Sequence, residues 1–230
     1  MGLARSNAHR TLQTLRVCGW AEQDAATARY RASLRLFELG TLQGESLDVA
    51  GRVRPHLAAL AEATGETIHL AALDGADIVY LDKFESLRSV VAYSRIGGRA
   101  PAACVAAGKA LLAAHPHDAA ALRARLVALA AHTPRSFVDF DTLAADLDRA
   151  AARGHAENQE EWRVGVCGLG APVFDARGLP VVAVGMSVPS IRFGRAQAKA
   201  LARRLVATAR DASVGLGYRL TLGPANPTRR

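Results

Sequence analysis

The sequence has few of the residues that define disulfide-bonded, metal-binding or membrane proteins. Its three cysteines, Cys18, Cys104 and Cys167, lie far apart, without the close pairs typical of structural zinc sites and redox motifs. No apolar run reaches the roughly 18 residues that a membrane-spanning helix needs, and the first residues lack the apolar stretch of a secretion signal. These absences predict free thiols and a soluble, cytoplasmic protein with no membrane partner.

Acidic residues are scarce at both ends of the chain. Residues 1–35 contain six arginines against Glu22 and Asp24, and residues 192–230 contain eight arginines and one lysine against Asp211. The residues between them carry fourteen basic and eighteen acidic side chains, so the net charge of +8 is concentrated at the ends. This split indicates a nucleic-acid contact at one or both ends, although a solvated, arginine-rich surface would give the same pattern.

Hydrophobic residues make up half of the 230 residues, enough to bury a substantial core. The length suits one large domain or two modest ones, and we expect two. From residue 66 onwards, runs with a period of two alternate with alanine-rich helical segments, and neighbouring runs are joined by short turns such as Asp74-Gly75. This order predicts an α+β fold on a mainly antiparallel sheet.

The first segment with a clear pattern is a short amphipathic helix. At about 100° per residue, Ala4, Ala8, Leu12 and Leu15 fall on one side of it, and Gly19 is placed to end it. Extended segments at 20–23 and 29–32 follow, separated by a small polar stretch, which predicts a hairpin.

A polar helix with a hairpin directly behind it matches a DNA-recognition helix and its wing, although an isolated amphipathic helix can equally be an ordinary surface helix. A helix fits the major groove, where amide and guanidinium groups pair with base edges and other polar groups hold phosphates. The candidate DNA contacts are Arg5, Ser6, Asn7, His9, Arg10 and Gln13 on the helix, and Arg29 and Arg31 beside the wing tip.

Three blocks of the sequence share their residues and order with one family. The first consists of Gly2, Leu3, Ser6, His9, Arg10, Leu12, Leu15, Gly19, Trp20, Tyr30, Arg31, Leu39 and Gly40. The second consists of Gly97 or Gly98 with Arg99, Pro101, Ala106, Gly108, Lys109, Ala110, Leu112 and Ala113. The third consists of Gly154, Glu157, Glu161, Gly165, Val166, Leu169 and residues 171–175. On these blocks the chain resembles the IclR family of bacterial transcriptional regulators over nearly its whole length.

The resemblance implies four regions. These are a partial winged helix-turn-helix DNA-binding domain at 1–33, a helical linker at 34–64, a GAF-like effector-binding domain with a mainly antiparallel sheet flanked by helices at 65–220, and a disordered basic tail at 221–230. In this family the recognition helix is the third of its winged unit, so we expect two further helices upstream of Met1.

The function that the resemblance implies is control of transcription. We expect a regulator that binds double-stranded operator DNA, requires no cofactor, and acts as a homodimer or a dimer of dimers, since palindromic operators need two-fold related heads. A small effector, either an organic acid or an aromatic metabolite, is expected to modulate operator binding. The alternative is a stand-alone effector sensor or partner-binding module that does not bind DNA.

The resemblance places the effector pocket between the sheet and the loop-helix at 103–108, with residues 158–168 closing one side. A helix N-terminus is a favourable seat for a carboxylate, and its backbone donors would come from Ala106 and Ala107. We expect Lys109 on the outer side of its helix, paired with a neighbour. The candidate effector contacts are Cys104, Ala106, Ala107, Asn158, Gly168 and Ser187.

An enzyme is the less favoured interpretation of the same residues. Cys104 could serve as a nucleophile with His69 or His155 as its base, but no recognisable spacing supplies an acidic partner. A metal site built from Cys167, His155, Glu157 and Glu161 fits no common ligand spacing. We therefore expect neither catalysis nor a bound metal.

Overall fold

The computed structural model describes residues 4–39, 49–86, 88 and 94–219. Its contacts divide the chain into two compact units, Met1–Asp48 and Val49–Arg230. Gly2 and Leu3 of the first family block, part of the predicted linker at 40–48 and the predicted basic tail at 221–230 lie outside the described residues.

The first unit contains the predicted helix and hairpin. Its elements are α1 (Arg5–Val17), β1 (Ala21–Gln23), β2 (Tyr30–Ala32) and a helix, α2, described over residues 34–39. Gly19 ends α1 with a φ of +77°, a conformation that glycine adopts without steric cost. The two strands pair antiparallel, and the side chain of Asp24 accepts hydrogen bonds from the backbone of Ala26 and Thr27 in the turn between them.

The second unit is built on one antiparallel sheet of six strands, in the order β5-β4-β3-β8-β7-β6. The strands are β3 (Thr67–Asp74), β4 (Asp77–Phe84), β5 (Arg99–Pro101), β6 (Ala156–Gln159), β7 (Val166–Phe174) and β8 (Pro180–Pro189). The helices are α3 (Val49–Thr64), α4 (Ala106–Ala113), α5 (Ala119–Leu126), α6 (Phe140–Arg153) and α7 (Arg195–Gly215). This arrangement confirms the α+β class and the predicted antiparallel sheet. No helix in the described ranges is long and apolar enough to cross a membrane.

Side chains alternate between the two faces along each strand, so both faces of the sheet carry apolar residues, and helices cover both faces. On one face, α3 and α7 enclose a core with Ile68, Leu70, Leu169 and Val184. On the other face, α4, α5 and α6 enclose a second core that includes Ala71. The sheet is therefore the middle of three layers.

Helix α3 belongs to the core of the second unit. Its apolar residues Val53, Leu57 and Leu60 recur at helical spacing and are all at most 3% exposed. The predicted linker at 34–64 therefore ends earlier in the structure, and the second unit begins at Val49 rather than at residue 65.

The first turn of α4 lies directly on the sheet. A Cβ atom added to Gly170 of β7 would overlap the backbone of Ala106, and one added to Gly108 would overlap the backbone of Ala102 in the preceding 3-10 turn. On β8, a Cβ at Gly185 would come within 3.2 Å of the Ala107 Cβ atom. Glycine is required here because two backbones approach each other without side chains between them.

Candidate functional site

Helix α1 presents the predicted DNA-contacting residues to solvent. Arg5, Ser6, Asn7, His9 and Arg10 are exposed, and Gln13 is half-buried. The helix contains no buried residue, and its apolar side is only partly covered: Ala8 and Leu12 are half-buried and Leu15 is 39% exposed. One exposed row of amide, imidazole and guanidinium groups is therefore available to a partner.

The wing arginines differ in their charge partners. Arg31 lies 2.8 Å from the Glu22 carboxylate on the facing strand. Within the described residues, the side chain of Arg29 forms no ion pair or hydrogen bond, and the same holds for Arg5 and Arg10 on α1. These three cations are free to neutralise an anionic partner, whereas Arg31 already has an acidic neighbour.

A small cavity lies between the N-terminal end of α4 and the sheet. Five of the six predicted effector contacts line it: Ala106, Ala107, Asn158, Gly168 and Ser187. The cavity volume is about 40 Å³. Cys104 does not line it, because this residue lies in the 3-10 turn before α4, where its side chain is 4% exposed.

The first turn of α4 lines this cavity with Ala106 and Ala107. The first N–H groups of a helix have no carbonyl partner within the helix. The residue before α4, Val105, provides no side-chain cap, and the first turn contains no acidic residue. The partial positive charge of the helix end at Ala106 and Ala107 is therefore not neutralised by a side chain of the same turn.

The sequence did not predict the contribution of His69 to this cavity. Its ring is 3% exposed, its Nε2 atom lies 3.2 Å from Ser187 Oγ and 3.4 Å from Ser94 Oγ, and Tyr80 packs edge-on against it at 5.0 Å between ring centroids. Burial, with a smaller effect from the charge of Lys83, lowers the pKa of His69 to about 3. The imidazole is therefore neutral near pH 7. His69 lies on β3 two residues before Ala71, which faces the core. Because residues two apart on a strand share a face, this spacing could have indicated that His69 also points inward.

A buried charge network holds one wall of the cavity. The Asn158 Oδ1 atom accepts a hydrogen bond of 2.9 Å from the backbone of Glu161. The Glu161 carboxylate lies 2.7 Å from Lys109 Nζ, which is also 2.8 Å from Asp146. Burial raises the pKa of Glu161 above its ordinary value. Lys109 is 1% exposed, so the prediction that it is paired is confirmed, and the prediction that it lies on the outer side of its helix is wrong.

The chemistry of the cysteines does not favour a nucleophile. Burial raises the pKa of Cys104 to about 11, with a further contribution from the charge of Glu161, so the thiol is protonated near pH 7. Burial also raises the pKa of Cys167 to about 11. No group of three or more histidine, cysteine or acidic residues in the described part of the chain could hold a metal ion.

Comparisons with known proteins give a consistent result. The family model described as the C-terminal domain of the bacterial transcriptional regulator IclR matches residues 42–214, and the IclR helix-turn-helix model matches residues 1–25. The chain is similar to the HTH-type transcriptional regulator KdgR of Escherichia coli (strain K12), with 32% identity over 216 residues, 94% of this chain and 82% of that protein.

Solved structures agree with the sequence matches. The crystal structure of the Thermotoga maritima IclR is similar with a TM-score of 0.75 and 29% identity, covering 94% of this chain and 87% of that one. A putative transcriptional regulator from Rhodococcus sp. RHA1 is similar with a TM-score of 0.76 and 31% identity, covering 93% and 85%. The named relatives are transcriptional regulators and not enzymes.

Proposed function

The chain belongs to the IclR family of bacterial transcriptional regulators, and from this membership we propose that its first unit binds operator DNA and that its second unit binds a small effector that modulates this binding. The exposed polar side of α1 is the observation that carries the DNA-binding part. The cavity at the start of α4 carries the effector part.

The polar side of α1 has the chemistry of major-groove readout. Arg10, Asn7 and Gln13 can pair with base edges, while Ser6, Arg5 and Arg29 can contact phosphates. The free charges of Arg5 and Arg29 support this role, because neutralising phosphates releases counterions. A homodimer or dimer of dimers would present two such helices to a two-fold symmetric operator.

The effector that this cavity suits best is a small organic acid. Its carboxylate would accept hydrogen bonds from the backbone N–H groups of Ala106 and Ala107, which also gain from the dipole of α4. The hydroxyl of Ser187, the amide of Asn158 and the neutral ring of His69 would bind the remaining polar atoms. With a volume of about 40 Å³, the cavity favours an acid of few atoms over an aromatic metabolite.

An effector can change operator affinity only if it binds the two arrangements of the protein with different affinity. We propose that this difference comes from a change in the position of the binding atoms between the DNA-bound and free states. The start of α4 is our candidate for the moving part, because it provides the backbone donors and also carries Lys109 of the buried network.

The DNA-binding proposal is tested by replacing Arg10 and Gln13 with alanine. Base contacts of this kind each contribute about 1 to 3 kcal/mol, so operator affinity in a mobility-shift titration at fixed salt should fall by at least ten-fold. Arg149→Ala, an exposed charge on α6 of the second unit, is the matched control and should leave operator affinity unchanged. Unaltered operator affinity in the double variant would contradict the proposal.

The effector proposal is tested separately by calorimetry with a panel of small aliphatic and aromatic carboxylates. Ser187→Ala and Asn158→Asp should each weaken binding of the carboxylate that the wild type prefers, while the Arg10 and Gln13 variant should bind it normally. If neither substitution in the cavity changes the affinity, these residues do not form the site. Effector binding together with weak, salt-sensitive attraction for every duplex would favour the stand-alone sensor.

A further inference from the structure

The second unit contains another cavity, at the edge of the sheet beyond the start of β6. Because β6 has only four residues and pairs with residues 167–170 of β7, no strand among the described residues lies beside the outer edge of β7 from Ala171 onwards. The C-terminal ends of α4 and α6 close this space on one side, and α7 closes it on the other. Its volume is about 370 Å³.

Small apolar side chains create this space. The walls are formed mainly by alanines, among them Ala110, Ala113, Ala150, Ala151 and Ala171. Protein interiors are close-packed, so a space of this size between helices and a sheet is unusual. An apolar cavity of about 150 Å³ is enough to bind benzene, and this cavity therefore has room for a single aromatic ring with a substituent.

One wall of the cavity is aromatic. The rings of Phe174, at the end of β7, and Tyr218, after α7, stack with their centroids 5.3 Å apart. An aromatic guest gains from offset or edge-on contact with such a wall beyond the burial of its surface. The polar groups of Ser213 are already satisfied, because its hydroxyl bonds with Ala209 and Phe174. The interior therefore selects for an apolar ring.

The mouth of the cavity carries one positive charge without an acidic partner. Arg210 lines the cavity, is exposed, and forms no ion pair with any other described residue. The neighbouring cation Arg153 lies 3.5 Å from the Glu157 carboxylate, and His155 lies 3.5 Å from the same group. The hydrogen bond from His155 is the largest cause that lowers the pKa of Glu157 to about 2, so this carboxylate is ionised near pH 7. The free charge at the mouth is that of Arg210.

We propose that this cavity is a second small-molecule site, which binds an aromatic monocarboxylate with its ring between the alanines and the Phe174–Tyr218 pair and its carboxylate on Arg210. The guanidinium group can bind a carboxylate through two parallel hydrogen bonds. This site shares no lining residue with the cavity at the N-terminal end of α4. It therefore does not depend on the effector proposal above.

Benzoate is the probe, and calorimetry with the full chain is the measurement. Arg210→Gln should weaken benzoate binding at least ten-fold but leave the affinity for benzamide, the neutral analogue, within two-fold. Arg204→Gln is the matched control: Arg204 is an exposed, unpaired cation on the same helix that does not line the cavity, and its variant should bind benzoate as the wild type does. Ala151→Leu, at an exposed helical position on the cavity wall, narrows the space and should weaken binding of both ligands.

A second pair of variants separates the two cavities. Ser187→Val alters the cavity at the start of α4 and should leave benzoate binding unchanged. If Ser187→Val weakens benzoate binding while Ala151→Leu leaves it unchanged, the ring binds in the first cavity and the proposal is wrong. The competing occupant is the chain itself, since residues 220–230 begin two positions after Tyr218 in the sequence. Benzoate binding that appears only after these residues are deleted would assign the space to them and overturn the proposal.

Discussion

The two units of the chain differ in where their apolar side chains lie. In the second unit, residues such as Leu57 and Leu169 are completely buried and form cores on both faces of the sheet. In the first unit, α1 has no buried residue, and Val17 and Phe37 are 83% and 71% exposed. The difference implies that substitutions in the second unit chiefly change stability, whereas those in the first chiefly change what the protein binds. Four substitutions, in order of decreasing expected effect, test this contrast.

Lys109→Met should have the largest effect on stability. It leaves the buried carboxylate of Glu161 without its cation, and breaking a buried pair in this way costs about 3 to 5 kcal/mol. The free energy of unfolding, measured with urea and monitored by circular dichroism, should fall by that amount. Arg149→Met removes the exposed partner of Asp146 and should cost less than about 1 kcal/mol. Equal losses in the two variants would show that burial does not set the energetics of this network.

Leu57→Ala should destabilise the second unit by about 2 to 5 kcal/mol, because it removes a completely buried side chain from α3 and leaves a cavity. Leu36→Ala, in α2 of the first unit, removes a side chain that is 48% exposed and should cost less than about 1 kcal/mol. Both are measured by thermal and urea unfolding. If Leu57→Ala lowers the free energy of unfolding as little as Leu36→Ala does, α3 belongs to the predicted linker and not to the core of the second unit.

His69→Asn should change how the stability of the second unit depends on pH. The folded protein keeps His69 neutral, with a pKa of about 3, while the unfolded chain binds a proton below about pH 6.5. His69 therefore contributes its full stability above pH 6.5 and loses it as the pH falls towards 3, at up to about 1.4 kcal/mol per pH unit. Between pH 4 and 6.5, the free energy of unfolding of the variant, measured by urea titration, should therefore fall less steeply with decreasing pH than that of the wild type. Above pH 7 the two slopes should coincide, and a difference confined to that range would contradict the assignment.

Glu22→Gln in the wing should have the smallest effect on stability. Its ion pair with Arg31 joins side chains that are 46% and 72% exposed, so its loss should cost less than about 1 kcal/mol. The same change frees Arg31 and removes a negative charge near the proposed DNA-binding surface. Operator affinity should therefore rise, and its salt dependence should steepen. Unaltered operator affinity and salt dependence in the Glu22→Gln variant would place the wing away from the duplex.

The elements with a strong pattern could be predicted from the sequence. The spacing of Ala8, Leu12 and Leu15 with Gly19 predicted α1, and the alternation around Asp74 and Gly75 predicted the β3–β4 pair. The strands β5 and β6 were missed because three or four residues are too short to show a period of two. Pro189 and a 3-10 turn at Ser190–Arg192 precede α7, so this helix begins only at Arg195, which the helical spacing of apolar residues does not show.

The candidate sites show a similar limit. The family resemblance predicted that Asn158, Gly168 and Ser187 share one pocket, and all three line the cavity at the start of α4. The burial of Lys109 could not be predicted, because its two carboxylate partners come from positions 37 and 52 residues further along the chain. Only the folded sheet, with α6 beside β6, brings these charges together. The second cavity depends on β6 being shorter than β7, which no local sequence pattern reports.

The glycine beneath α4 fixes the spacing between helix and sheet through main-chain atoms. A Cβ atom on Gly170 would overlap the Ala106 carbonyl oxygen, and no side chain at this contact can rotate away to relieve the overlap. Gly170→Ala therefore requires the first turn of α4 to move away from β7. Because Lys109 lies on the same short helix, a single added methyl group at the strand would be felt at the buried ion pairs on the other side of the turn.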